Sequence, residues 1–235
     1  MDGAVPRSRD KRLPSVAVSC KTSRVPGIAL APPAAYTARV NQDDIPLFLL
    51  NTVLFPGGLL SLRIFEPRYL DLVRDCSRND SGFGVCLILA GRESGEPATP
   101  AAVGTVARIE DFYSLPDGLL GIRARGGRRF RAASTRVRDN GLVHGQVHWL
   151  AEEPTLTLPP EYGLLALILE RLLEQVGGEH AQAERHQFDD ASWVGFRLAE
   201  LLPVQPAERQ HWLQLTDPLL RLDALMRCIP RFQAA

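Results

Sequence analysis

"NTVLFPGGLLSLRIFEPRYLDLV", residues 51–73, contains two apolar runs separated by a Pro-Gly-Gly break. The first run extends from Ile45 to Phe55 and is too short to cross a bilayer, because a spanning helix needs about 20 residues. The second run, Leu59 to Phe65, alternates apolar with polar residues, which is typical of a half-buried strand. Pro67 suits the first position of a helix, where its missing N–H would have no partner. The stretch therefore predicts a strand, a turn, a second strand and a helix.

Further strand-like segments follow this opening. Phe83 to Leu89 predicts a buried strand, and Val103 to Leu115 alternates well, which predicts another strand. A turn at "LPDG" leads into a long segment that Gly126-Gly127 should bend into a bulge or corner. Leu142 to Leu150 predicts a further strand. Six or so short strands with one early helix predict a small closed barrel over residues 45–155.

The remaining sequence has helical patterns. Residues 156–235 predict a bundle of about four helices, three of which are placed by a Pro or Asp near their first turn. Residues 1–44 are rich in Arg, Pro, Ala and Ser and predict a flexible N-terminal extension without a secretory signal. The fold class expected from these patterns is α+β, a barrel followed by a helical bundle. The predicted helices cover residues 161–176, 189–202, 206–215 and 218–229.

Composition and charge select no partner class. The 235 residues include 27 Lys plus Arg and 27 Asp plus Glu, so the formal net charge is zero. This balance argues against nucleic-acid or membrane binding through overall charge. The four cysteines form no C-x-x-C pair, which favours reduced thiols and a cytoplasmic location.

No pattern predicts catalysis, a metal or a cofactor. His144 and His148 would be separated by about 13 Å on a strand, too far apart for one metal ion to bind both directly. His180 and His186 fall in a polar loop, where solvent exposure explains them. No G-x-S-x-G nucleophile elbow is present. We therefore expect a protein that is not an enzyme, with no cofactor and no metal.

Residues 122–138 are rich in arginine and contain no acidic residue. Such a strand face could hold phosphates, so an RNA-binding face is an alternative interpretation. The simpler interpretation is that these arginines pair with acids such as Glu110 and Asp111 on the neighbouring strand. The candidate nucleic-acid residues are Arg123, Arg125, Arg129 and Arg131.

The order of "LFPG", "GT-A-I", "LPDG" and "G--RF" resembles the N-terminal substrate-binding domain of the Lon protease family, over about residues 45–232. The resemblance implies a six-stranded PUA-like pseudo-barrel followed by a helical bundle, and recognition of unfolded or tagged polypeptide. The sequence contains no G-x-x-x-x-G-K-[ST] phosphate loop and no lysine after Lys21. It therefore resembles the bacterial proteins that consist of this domain alone, without ATPase or protease modules.

The functional hypothesis is a non-catalytic module that binds unfolded or exposed apolar protein segments. Partners would be protein or peptide segments, with coupling to a protease or chaperone system left open. The alternatives are an RNA-binding PUA-like protein and a ligand-free scaffold or homo-oligomer. The candidate peptide contacts are Phe55, Pro56, Phe65, Tyr69, Phe112 and Tyr113.

Overall fold

The computed structural model describes residues 42–93, 95 and 98–232, which belong to one compact unit of residues 39–235. The predicted extension, residues 1–44, lies outside the described residues except for its last three, which open the first strand. Seven strands are described: β1 Gln42–Leu50, β2 Leu59–Ile64, β3 Phe83–Ala90, β4 Thr99–Pro100, β5 Val103–Ser114, β6 Leu120–Val137 and β7 Val143–Trp149.

Five α-helices are described, one within the barrel sequence and four after it. Short 3₁₀ turns precede α2, occupy the segment between α2 and α3, and follow α5. Among the described residues, no helix combines the length and apolar character needed to cross a membrane. The helices are α1 Pro67–Asn79, α2 Gly163–Val176, α3 Ala191–Leu201, α4 Pro206–Gln214 and α5 Pro218–Cys228.

The strands close into a barrel. Neighbours follow the order β1, β7, β6, β5, β3, and a parallel pairing of β1 with β3 completes the circuit. The long β6 pairs with β2 through its first part and with β7 through its second. With the two-residue β4 set aside, six strands build the barrel, so the predicted α+β pseudo-barrel and helical bundle are confirmed.

Helix α1 packs its predicted apolar face on the barrel. Pro67 occupies its first turn, and Asp80 ends it in the left-handed conformation at φ 46°. Tyr69, Leu72 and Cys76 are buried in the barrel core. The helix therefore closes one side of the barrel and leaves its C-terminal end close to the start of β3.

The Gly126-Gly127 pair forms the predicted irregularity in β6, where the pairing register with β5 shifts. The turn after β1 docks here, because Gly57 N–H donates to the Gly126 carbonyl at 2.7 Å and Gly126 N–H donates to that of Gly58 at 2.8 Å. A Cβ at Gly126 would collide with the Phe55 carbonyl oxygen. Two glycine-rich stretches far apart in the sequence therefore fit against each other.

The barrel and the bundle share a hydrophobic core. Phe55 and Val103 from the barrel pack in the same cluster as Leu198 and Leu222 from the bundle. The first predicted strand ends at Leu50 instead of Phe55, because residues 51–55 turn toward this shared core. The predicted division into segments 45–155 and 156–235 stays a prediction.

Candidate binding groove

Part of one edge of β5 has no strand partner among the described residues. β5 pairs with β6 up to Ser114, but its pairing with β3 extends only from Thr105 to Ala107. Beyond Ala107, β5 pairs with no other described strand on the side away from β6. The residues of this open edge, 108–114, are all at least partly exposed. A backbone edge of this kind can accept hydrogen bonds from, and donate them to, another chain.

Three cavities that share lining residues run from this edge across β6, and together they form what we call the groove. The first, about 220 Å³, lies between the edge and the C-terminal end of α1, with Cys76, Ile109 and Phe112 in its wall. The second, about 980 Å³, shares Ile109 with the first and continues over the β6 bulge to Trp149. The third, about 330 Å³, shares the bulge and reaches Phe196 at the junction with the bundle.

The walls of the groove contain both apolar side chains and paired charges. Val106, Ile109 and Trp149 are partly buried and line its central cavity. Arg125 lies in that cavity and binds the carboxylates of Glu110 and Glu179. These contacts, Glu110 first, raise the pKa of Arg125, and the hydrogen bond from Arg125 lowers the pKa of Glu179. The charge of Arg125 is therefore offset by these two carboxylates.

Two charged side chains in the groove differ from the others. Arg108 and Asp80 are exposed and contribute to the walls of both the first and second cavities. Neither forms an ion pair or side-chain hydrogen bond with another residue of the described part of the chain. They are therefore available to charged groups of a ligand.

Two of the six predicted peptide contacts are wrong as surface residues. Phe55 is fully buried and packs against Phe196 with ring centroids 6.0 Å apart. Tyr69 is buried and stacks on Phe48 at 3.8 Å. Both rings are buried in the core, because each lies on the inward side of its segment.

The other four lie at the surface but not in one place. Phe112 lines the first cavity and Pro56 the third, so these two belong to the groove. Phe65 and Tyr113 lie at the same end of the barrel, since the residues beside them, Ile64 and Ser114, both pair with Leu120. Neither ring lines any of the three groove cavities. Whether any of the four contacts a peptide stays a proposal.

Several groove residues were missed from the sequence. Val106, Ile109, Trp149 and Phe196 lie within alternating or helical segments and were not among the candidate contacts. One sequence signal could have pointed to the groove: the predicted β5 segment is much longer than the predicted β3 segment that borders it. A length mismatch leaves part of the longer strand without a neighbour.

The arginines of the alternative phosphate-binding face do not form a set of free cations. The assignment of Arg129 to that face is wrong, because its side chain is only 3% exposed and binds Glu153 at 2.6 Å. Arg123 lies 4.0 Å from both Glu110 and Asp111, and Arg125 also binds Glu110. The simpler interpretation of this strand, pairing with acids of the neighbouring strand, is confirmed for these two arginines. Arg131 is exposed.

His144 and His180 have structural contacts. His144 is buried with its Nδ1 3.3 Å from Asp44, and burial lowers its pKa. His180 Nε2 lies 2.9 Å from the Arg197 guanidinium. Within the described ranges, no group of three His, Cys, Asp or Glu residues is placed to hold a metal ion.

A family model described as the substrate-binding domain of ATP-dependent protease La (Lon) matches residues 44–231. The match is to a substrate-binding domain and not to a catalytic one. Lon protease 2 of Myxococcus xanthus is 29% identical over 154 residues, which cover 63% of this chain and 18% of that protein. Lon protease of Cytophaga hutchinsonii is 24% identical over 207 residues, covering 83% of this chain and 25% of that protein. The chain thus spans a quarter or less of the length of these curated relatives.

Two solved structures are similar to the chain. The Lon N-terminal domain protein from Xanthomonas campestris is 50% identical, with a TM-score of 0.67, covering 79% of this chain and 98% of that one. The N-terminal domain of Lon protease from the Mycobacterium avium complex is 15% identical, with a TM-score of 0.58, covering 79% and 97%. The second similarity shows the fold alone.

Proposed function

Because the chain belongs to the family of Lon protease substrate-binding domains, we propose that it is a non-catalytic module that binds unfolded polypeptide in the groove along β5. The observation that carries this proposal is the row of adjoining cavities, in which Val106, Ile109, Phe112 and Trp149 remain accessible. Partly exposed apolar walls of this kind mark interaction sites in soluble proteins.

The charge distribution supports a polypeptide over a nucleic acid. Arg123 and Arg125 are already paired with acids, and Arg129 is buried, so the strand offers few free cations to phosphates. Apolar segments exposed by unfolding gain free energy when they leave water, at roughly 25 cal/mol per Å² of apolar surface. The proposed role is to hold such segments in the cytoplasm, for a protease or chaperone system to act on.

The test is the fluorescence anisotropy of a labelled, reduced and carboxymethylated polypeptide titrated with the full chain. We expect saturable binding that persists at 0.5 M salt and resists competition by single-stranded RNA, since salt screens phosphate contacts far more than apolar ones. Phe112→Ser should weaken binding about tenfold, a typical effect of removing an aromatic contact.

The matched control is Phe65→Ser. Phe65 and Phe112 are similarly exposed, at 57% and 50%, but only Phe112 lines the groove. Phe65→Ser should therefore leave the affinity unchanged. An equal loss in both variants would assign binding to the end of the barrel and not to the groove. Salt-sensitive binding of RNA without binding of polypeptide would refute the proposal.

A further inference from the structure

We propose that the polypeptide enters the groove as an added β-strand, hydrogen-bonded to the open edge of β5 between Arg108 and Ser114. This inference rests on the proposed function and specifies its mode of recognition. The occupant is an extended segment of five to seven residues, antiparallel to β5 and in line with β3.

The vacant position continues a strand pairing that already exists. β3 begins at Phe83, which pairs with Ala107, and no described strand lies before it along β5. The chain reaches that point through Gly82, where an added Cβ would lie 2.7 Å from the Ala107 carbonyl oxygen. The chain before Gly82 comes from the end of α1 and not from along β5. The first cavity, about 220 Å³, lies between that helix end and β5.

The open edge presents backbone N–H and C=O groups that another polypeptide backbone can pair with. Along a strand, successive residues direct their N–H and C=O groups to alternate sides, so an edge displays a row of both. One donor is engaged locally, since Phe112 N–H donates to its neighbour Asp111 Oδ1 at 2.9 Å. An extended polypeptide can pair with such a row through its own backbone donors and acceptors. This backbone pairing is the chemistry of strand addition.

The side chains around the edge define what the added strand should carry. Ile109, Phe112 and Cys76 give the first cavity an apolar wall that fits one apolar side chain. Arg108, which has no acidic partner among the described residues, complements a carboxylate on the same segment. Asp80 lies in the same wall and complements a basic group. The expected ligand is therefore an apolar strand flanked by charges of both signs.

A second copy of this chain is a poorer occupant of the edge. The register shift at Glu110 bulges β5, and Arg108 and Asp111 place charges on either side of it. Bulges and charges on edge strands oppose the pairing of two long, flat strands. A short flexible segment can follow the twist of the bulged edge, whereas another folded sheet cannot.

The test uses a labelled seven-residue peptide that alternates valine and phenylalanine with one glutamate and one lysine at its ends. Two sets of variants carry N-methyl groups on either the odd or the even residues. N-methylation removes a backbone donor without removing a side chain. Strand addition predicts that one set loses affinity at least tenfold and that the other stays within about threefold of the parent, because only alternate residues face β5.

Other outcomes separate this inference from the proposed function. If both N-methylated sets bind like the parent peptide, or both lose affinity equally, strand addition is wrong. The proposed function still stands in that case if the unfolded polypeptide binds. If neither the parent peptide nor the unfolded polypeptide binds, both proposals fail. Amide hydrogen exchange provides an independent check on the full chain. Saturating peptide should slow exchange within residues 108–114 and leave β2, residues 59–64, unchanged as the internal control.

Discussion

At the residue scale, two buried arginines join the barrel to the bundle. Arg129 of β6 and Arg221 of α5 both bind Glu153, and their side chains are 3% and 0% exposed. Ser192 donates to the same carboxylate at 2.6 Å, and the Phe196 ring lies 3.9 Å from the Arg221 guanidinium carbon. Arginine suits this position because its planar group can bind one carboxylate and several backbone carbonyls together.

Glu153→Gln should destabilise the protein by about 3–5 kcal/mol, because it leaves two buried guanidinium groups without a counter-charge. Urea unfolding followed by circular dichroism measures this change. Glu152→Gln is the matched control, since the Glu152 side chain is 78% exposed and lies 3.7 Å from Arg128 at the surface. It should change stability by no more than about 0.5 kcal/mol. Similar losses in both variants would contradict a buried role for Glu153.

At the element scale, most strands and helices were predictable because each has a local cause. The alternation of apolar and polar residues predicted β2 and β5. Pro67 and Asp190 mark the starts of α1 and α3. Two features were not predictable, since each depends on a distant partner. They are the end of β1 at Leu50 and the burial of Arg129.

The segment between α2 and α3 is an element held by two arginine contacts. Glu179 binds Arg125 of β6, and His180 Nε2 lies 2.9 Å from Arg197 of α3. Arg197 also donates to the Pro56 carbonyl at 2.7 Å, which connects this segment to the turn after β1. Since arginine can only donate, His180 must accept and is therefore neutral at this nitrogen.

This arrangement predicts that acid weakens the fold through His180. Burial, followed by repulsion from Arg197, lowers the pKa of His180 in the folded protein. The unfolded chain then binds the proton more readily, so the free energy of unfolding falls as the pH drops below about 6.5 toward the lower folded-state pKa. The contribution is at most about 1.4 kcal/mol per pH unit. Urea unfolding at pH 7.0, 6.2 and 5.5 measures the slope.

His180→Gln should flatten this slope, because glutamine can accept from Arg197 but does not titrate. Buried His144 has a lowered pKa as well, so part of the slope should remain. His186→Gln serves as the control, since that side chain is 75% exposed. A slope that is the same in the wild type and in His180→Gln would show that the Arg197 contact does not depend on the charge of His180.

At the scale of the whole molecule, the barrel and the bundle depend on each other. Their shared hydrophobic cluster joins Phe55 and Val103 to the leucines of α2, α3 and α5. Gln210 of α4 also donates to the Val103 carbonyl at 2.9 Å. Either part alone would expose this surface to water, at roughly 25 cal/mol per Å² of apolar area. The groove reaches across this junction, so its third cavity exists only when both parts are folded.

We therefore expect residues 42–232 to unfold in a single cooperative transition, as small single domains do. The three tryptophans allow a direct test, because Trp149 lies in β7 while Trp193 and Trp212 lie in the bundle. Trp149→Phe leaves fluorescence that reports on the bundle, and the double variant Trp193→Phe, Trp212→Phe leaves a reporter in the barrel. Within each variant, the fluorescence and circular dichroism midpoints in urea should coincide. If they separate, residues 45–155 and 156–235 are two independently stable domains, and the third cavity at their junction can open without unfolding either.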